Sequence, residues 1–163
     1  MNYISTRNSG YSVSAAQAIV AGLAPDGGLF IPESLPSFTL KEIEELSKVG
    51  YVDRAVEVLS RFLCDFTKEE LHDYISRAYA SQKFPPKEVA PLHALDEQAS
   101  VLELFHGPTC AFKDFALQLL PYLLTASLKK TGEQKTVVSM VATSGDTGKA
   151  ALEGFADVPG TKI

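Results

Sequence analysis

Cysteine is scarce and poorly placed for chemistry: the 163 residues hold two, Cys64 and Cys110, far apart and in no CxxC pair. That spacing supports neither a zinc site nor a redox pair. A chain of this length needs no disulfide framework, so a reducing cytoplasm is the expected setting. The three histidines, His72, His93 and His106, share no ligand spacing, and no metal is predicted. Clustered basic residues are lacking too. The one basic pair is Lys129-Lys130, with Lys135 nearby, and the net charge is −5. Nucleic acids and anionic membranes both call for clustered Lys and Arg, so neither is an expected partner. Long apolar runs are missing. The longest, Leu117–Leu124, is interrupted by Gln118 and Pro121 and is too short to cross a bilayer. The opening residues, Met1-Asn2-Tyr3-Ile4-Ser5-Thr6-Arg7, lack the apolar core of a secretory signal.

What is present fits a globular chain. It is 45% hydrophobic and 21% charged, enough to build a core. Its length suits one ordinary domain or two small ones. Three capping boxes punctuate the first half: Ser14-x-x-Gln17, Thr39-x-x-Glu42 and Thr67-x-x-Glu70. In each, the hydroxyl accepts an N–H of the first turn while the Glu or Gln reaches back to the cap. They predict helices over about 14–22, 40–48 and 68–82. Val52, Ala55, Val56, Leu59, Phe62 and Leu63 share one face and predict another helix near 51–63. Asp26-Gly27-Gly28 is turn chemistry, and Leu29-Phe30-Ile31 follows as a short extended segment stopped by Pro32. The proline-rich stretch 84–91 cannot be regular helix or central strand and is the expected domain boundary.

Beyond it the pattern changes. Val101–Phe105 reads as a strand, Phe112 to Lys130 as a long amphipathic helix bent at Pro121, and Thr136–Ala142 as a buried parallel strand. A Gly-rich turn at Ser144–Gly148 and a helix from Lys149 follow, and Val158–Ile163 reads as a loop entering another strand. Strand, helix, strand, helix is the pattern of an α/β fold.

Two segments carry chemistry. In Leu104-Phe105-His106-Gly107-Pro108-Thr109-Cys110-Ala111-Phe112-Lys113-Asp114-Phe115, a lysine stands in the first turn of a helix. Partial positive charge at that end disfavours a second cation. A neutral amine is what Schiff-base chemistry with a carbonyl requires. A surface lysine snorkelling from a helix end explains the residue equally well. In Ala142-Thr143-Ser144-Gly145-Asp146-Thr147-Gly148-Lys149, backbone N–H groups and hydroxyls between a strand and a helix suit an anion. A tight turn capped by Ser144 or Asp146 is the plain alternative. A Walker P-loop is excluded, because only Asp146 and Thr147 separate Gly145 from Gly148 and Ala150 follows Lys149.

Together these segments resemble the threonine synthase family, within the fold type II pyridoxal-phosphate (PLP) enzymes. Tyr3-x-Ser5-Thr6-Arg7 and Gly22-Leu23-Ala24-x-Asp26-Gly27-Gly28-Leu29-Phe30-x-Pro32-Glu33 resemble that family's N-terminal domain, so the likeness runs from Tyr3 to about Phe155. The resemblance implies an α/β chain with a helix-rich N-terminal domain over 1–83, a proline-rich link over 84–91 and an incomplete PLP domain of fold type II over 92–163. It implies that Lys113 is the catalytic Schiff-base lysine and that Asp146 meets the cofactor's phenolic oxygen. It places the substrate's α-carboxylate on Thr143, Ser144, Gly145, Thr147 and Gly148. The implied reaction turns O-phospho-L-homoserine and water into L-threonine and phosphate, with Lys113 moving protons. The family's cofactor-phosphate loop and pyridine-nitrogen partner would lie beyond Ile163, so these residues alone are expected to be inactive or nearly so. A threonine-synthase-like phospholyase, another fold type II lyase, a nucleotide- or phosphate-binding module and a non-catalytic interaction domain are the competing readings. Phe112 is expected to pack, Cys110 to be a small buried hydrophobe, and His106 to order the Gly107-Pro108 turn. Asn8 stands where the family usually has Gly and is expected to tolerate a left-handed backbone. Arg7 is expected to pair with an acid or assist phosphate binding.

Overall fold

The computed structural model describes residues 1–143 and 145–163. The chain divides into two compact units. The first comprises Met1–Asp73 with Leu123–Gln134, and the second Tyr74–Tyr122 with Lys135–Ile163.

In the first unit, β1 (Asn2–Ser5) is the centre of a three-stranded antiparallel sheet, flanked by β2 (Ser12–Ser14) and β3 (Phe30–Pro32). Tyr3 pairs with Val13 on one side and Pro32 on the other. Pro32 is tolerated because β3 is an edge strand, where a missing N–H costs no ladder bond. The capping boxes do what their spacing predicts. Ser14 caps α1 (Ala15–Ala21) and Thr39 caps α2 (Leu40–Ser47), each with both reciprocal bonds present. Thr67 N donates to Glu70 Oε2 (2.8 Å) and Glu70 N to Thr67 Oγ1 (3.2 Å) at the start of α4 (Lys68–Ala78). Between them α3 (Tyr51–Phe62) follows the 51–63 pattern. Asp65 adds a cap that the sequence did not advertise: its Oδ2 accepts from Ala16 N at 2.7 Å, in the first turn of α1. The buried residues of this unit include Ala15, Ala16, Val56, Leu63, Phe66, Leu71 and Leu128.

The N-terminal motif folds on itself. The Ser5 hydroxyl donates to the Asp26 carboxylate (2.8 Å) and accepts from Arg7 N (3.1 Å), while Gly28 N donates to Asp26 Oδ1 (2.8 Å). Gly28 has no room for a side chain, since a Cβ there would collide with Ser5 Oγ. Arg7 lies beside an acid: its Nη1 donates to the Asp26 carbonyl at 3.1 Å, and its charge helps to lower the Asp26 carboxyl. Asn8 keeps φ negative and instead accepts from Gly10 N through Oδ1 (3.0 Å), an Asx turn.

Several carboxylates in this unit sit below their ordinary range. The Thr39 N–H, then the Thr39 hydroxyl and Arg61, hold Glu42 down to about 2. The Gly28 N–H and then Ser5 lower Asp26, and Lys130 and then the Thr67 N–H lower Glu70. A folded-state value below the unfolded one means stability that is present above the unfolded value and lost as pH falls through the folded one. For Glu42 that window runs from 4.5 down to about 2. Thr39→Ala is therefore expected to lower the urea midpoint at neutral pH, and the gap to wild type should shrink as pH falls through this window. A gap of constant size would show that the Thr39 hydroxyl does not hold the Glu42 carboxylate, the Thr39 N–H being present in both proteins.

The second unit differs from the sequence expectation in three places. Val101–Phe105 does not enter a parallel sheet. Only β5 (Ser100–Leu102) forms, paired antiparallel with β4 (Leu92–Ala94). Asp96 explains this: its Oδ1 accepts from Gln98 N and Ala99 N, both at 2.8 Å, and the local turn closes a hairpin. A short loop costs far less closure entropy than a distant pairing. The long helix is split rather than bent, into α5 (Asp114–Leu117) and α6 (Leu120–Lys130), so Pro121 sits in a first turn, where a missing N–H is harmless. The run 136–142 is not buried. Only β6 (Val137–Val138) is strand, paired parallel with β7 (Thr161–Lys162), and Met140 is 94% exposed. Among the described residues β6 has one partner strand, and Val138 is exposed beside half-buried Val137. The helix α7 (Asp146–Phe155) connects β6 to β7 and completes one βαβ unit.

Two aromatic rings, Tyr79 and Phe84, pack on Phe115 of α5. Phe84, inside the proline-rich stretch and 1% exposed, packs against Tyr79 and Phe115 at 5.4 and 5.2 Å between ring centres. The Tyr79 hydroxyl donates to Phe115 O (2.7 Å). Lys83 Nζ donates to the buried Gln118 side chain at 2.7 Å. On another side, α7 crosses α5 with Gly154 against the Leu117 carbonyl. That carbonyl would look to residue 121 for its helical donor, and residue 121 is proline. Among the described residues, no helix is long and apolar enough to cross a membrane.

Candidate functional site

Both chemical segments lie in the second unit, and the structure brings them together. Lys113, Thr143, Gly145, Asp146 and Thr147 line one cleft of about 330 Å³. Ser144 falls outside the described residues. Gly148 does not line this cleft. It is buried behind the loop and lines a neighbouring cleft with Val141, Lys149 and Leu152.

Lys113 stands at the N-cap of α5 with helical backbone angles, one residue earlier than a first-turn position. Its Nζ lies 4.2 Å from the centre of the Phe112 ring, over a face that attracts cations. Phe112 is 61% exposed, so it is no packing residue in this chain; it carries the lysine.

The turn before Lys113 is tied to the residue after it. Asp114 is fully buried. Its Oδ1 accepts from the Thr109 hydroxyl (2.7 Å) and its Oδ2 from Thr109 N (2.9 Å). Gly107 packs on the same carboxylate, where a Cβ would lie 2.5 Å from Asp114 Oδ2. Cys110 closes the turn through its N–H to Gly107 O (3.1 Å) and takes a left-handed backbone, φ 58°. Its thiol is exposed, contrary to the small-buried-hydrophobe expectation, because the left-handed turn directs the residue outward. His106 bonds Glu103 through Nε2 (2.6 Å) rather than the turn itself.

On the opposite wall, Thr143 does the capping that the sequence suggested for Ser144 or Asp146. Its Oγ1 accepts from Gly148 N (2.9 Å) and Gly145 N (3.3 Å). Gly148 must lack a side chain, since a Cβ would lie 2.6 Å from that oxygen. Asp146 and Thr147 open α7 and are exposed to the cleft. Lys149 Nζ approaches Thr109 O from 3.5 Å. Thr109, Asp114 and Lys149 thus belong to the frame of the site, yet neither periodicity nor motif spacing marked Thr109. The signal was a hydroxyl directly after Gly107-Pro108 and five residues before an acid. Among the described residues, no group of His, Cys, Asp and Glu side chains could hold a metal ion.

Comparison with known proteins gives a consistent result. Residues 2–79 match the family described as Threonine synthase N terminus. The threonine synthase of Pseudomonas aeruginosa is 47% identical over 155 residues, covering 94% of this chain and 32% of that protein. Human Threonine synthase-like 2 is 41% identical over 155 residues, covering 94% of this chain and 31% of that protein. Among solved structures, the PLP-bound threonine synthase from Brucella melitensis superposes with a TM-score of 0.89 at 41% identity, covering 99% of this chain and 34% of that one. The chain spans about a third of the length of the curated relatives it matches. Its mixture of helix and sheet is that of the N-terminal region of threonine synthase structures, and the chain belongs to the threonine synthase family.

Proposed function

We propose that the full-length protein is a threonine synthase, a PLP-dependent lyase that converts O-phospho-L-homoserine and water to L-threonine and phosphate. The observation that carries this reading is the shared cleft: Lys113 and the 143–147 loop, far apart in sequence, line one space. The residues fit the cofactor, because a primary amine stands in a cleft otherwise lined by hydroxyls, backbone and one carboxylate. When bound, the cofactor supplies an electron sink for the charge that develops on the substrate. Lys113 would hold the cofactor at its aldehyde carbon and would move the proton at the substrate Cα. Thr143, Ser144, Gly145, Thr147 and Gly148 would form the loop for the substrate carboxylate, with Thr143 fixing its shape, and Asp146 would serve the cofactor's phenolic oxygen. Residues 92–163 form the opening part of the cofactor domain, and 1–83 the N-terminal domain ahead of the 84–91 link.

Borohydride reduction of the full-length protein with PLP, followed by peptide mapping, is expected to label Lys113. Incubation with phosphohomoserine should release threonine and phosphate in equal amounts. Phosphate without threonine would instead support a phospholyase. No label on Lys113 would sink both.

A further inference from the structure

Asp114 is buried completely, bears a carboxylate, and does not line the cleft that its neighbour Lys113 enters. Both of its oxygens are used, and both on one residue: Thr109 N at 2.9 Å and Thr109 Oγ1 at 2.7 Å. Its own N–H donates to Ala111 O (2.9 Å) and its carbonyl accepts from Gln118 N (2.9 Å). The segment 109–114 is therefore a closed loop, pinned at both ends by one side chain. Three features of this loop make sense only if it is held tightly. Gly107 has no room for a Cβ against Asp114. Cys110 is kept left-handed at φ 58°, a conformation unfavourable for an L-residue. Thr109, 8% exposed, turns its carbonyl toward Lys149 on α7, the helix that begins in the opposite wall of the cleft.

We infer that Asp114 and Thr109 form a positioning pair that fixes the main chain at Lys113, and so aims its amine into the cleft. This rests on the reading of Lys113 given above. Neither residue touches the cleft, so the pair acts through the backbone on each side of the lysine. Without the pair, the 109–113 loop loses its buried anchor and Lys113 samples other directions. Misplacement by about 1 Å can cost roughly a hundredfold in rate.

Four variants of the full-length protein separate this role from stability alone. Thr109→Val removes the hydroxyl and keeps the N–H bond. Thr109→Ser restores the hydroxyl. Asp114→Ala removes both acceptors. Asp114→Asn keeps both bonds if the Thr109 hydroxyl reverses, and drops only the charge. The readout is the rate at which added PLP becomes reducible onto Lys113, measured with the melting temperature. Thr109→Val and Asp114→Ala are expected to label roughly tenfold to a hundredfold more slowly, and Thr109→Ser and Asp114→Asn at near the wild-type rate. Thr109→Val labelling as fast as wild type overturns the inference. So does equal slowing in Thr109→Ser and Thr109→Val, because that would track altered packing rather than the missing bond. Should Asp114→Ala not fold, Thr109→Val decides alone. Wild type that fails to label at Lys113 overturns the function reading, and this inference falls with it; wild type that labels while all variants match it overturns the inference only.

Discussion

Replacing Lys113 by alanine in the full-length protein is expected to lower the rate of threonine formation by at least about a thousandfold. The lysine is assigned two roles, holding the cofactor aldehyde and moving the substrate proton, and among the described residues no other that lines the cleft is a base of comparable reach. Thr143 and Thr147 are hydroxyls and Gly145 is backbone, and in the proposed function Asp146 is assigned to the cofactor rather than to the substrate proton. Lys113→Arg should fail as badly, since a guanidinium stays charged and does not form the carbonyl adduct. Added methylamine should restore part of the rate in Lys113→Ala, because it returns a free amine to the same space. Melting temperature should change little: Lys113 is only partly buried, and its amine lies over the exposed Phe112 ring. Full activity in Lys113→Ala would remove the lysine from the mechanism.

Filling Gly154 is expected to produce the largest loss of stability. Here α7 runs so close to the end of α5 that a Cβ would strike the Leu117 carbonyl oxygen and lie 2.8 Å from its carbon. Both are backbone atoms, so no side chain can rotate away. Relief requires the two helices to separate. Gly154→Val should cost about 3 kcal/mol or more, and Gly154→Ala somewhat less. For a chain of this size that lowers the melting temperature by roughly 6–12 °C. The effect should reach the site, because α5 follows Lys113 and α7 begins with Asp146 and Thr147. Labelling of Lys113 should therefore slow in Gly154→Ala even below its melting temperature. Gly50→Ser is the matched control, with open space around the position and an ordinary φ of −71°. If Gly154→Ala melts with the control, the close crossing is not a feature of the protein in solution.

The features that could be read in the sequence are those whose partners lie within a turn or two. Ser14, Thr39 and Thr67 announced three helix starts, because a capping box is complete within four residues. The α3 helix was legible from one apolar face, and the Asp26-Gly27-Gly28 turn from its own backbone requirements. Where two local preferences competed, the reading failed. Val101–Phe105 was apolar enough for a buried strand, but the Asp96 turn gave it a nearer partner in Leu92–Ala94. The long helix looked continuous because Phe112, Phe115, Leu119 and Leu123 keep helical spacing through the break at Gln118–Leu119. The run 136–142 had the composition of a buried strand. Composition shows which residues could be covered, and covering needs neighbours that one βαβ unit does not supply.

By itself, the sequence determined the helix starts, the N-terminal turn, the family resemblance and the identity of Lys113 as the lysine to examine. It left open whether that lysine was a surface residue at a helix end or part of a site. Only the tertiary structure put Lys113 beside Thr143, Gly145, Asp146 and Thr147. Only the tertiary structure showed that Asp114 faces inward to Thr109 and that Gly154 lets α7 approach α5. The physical reason is range. Capping and turn preferences act between residues a few positions apart and leave their mark on spacing. A cleft depends on how two helices cross, and the residue that permits this crossing is a glycine, which carries no side chain to announce it.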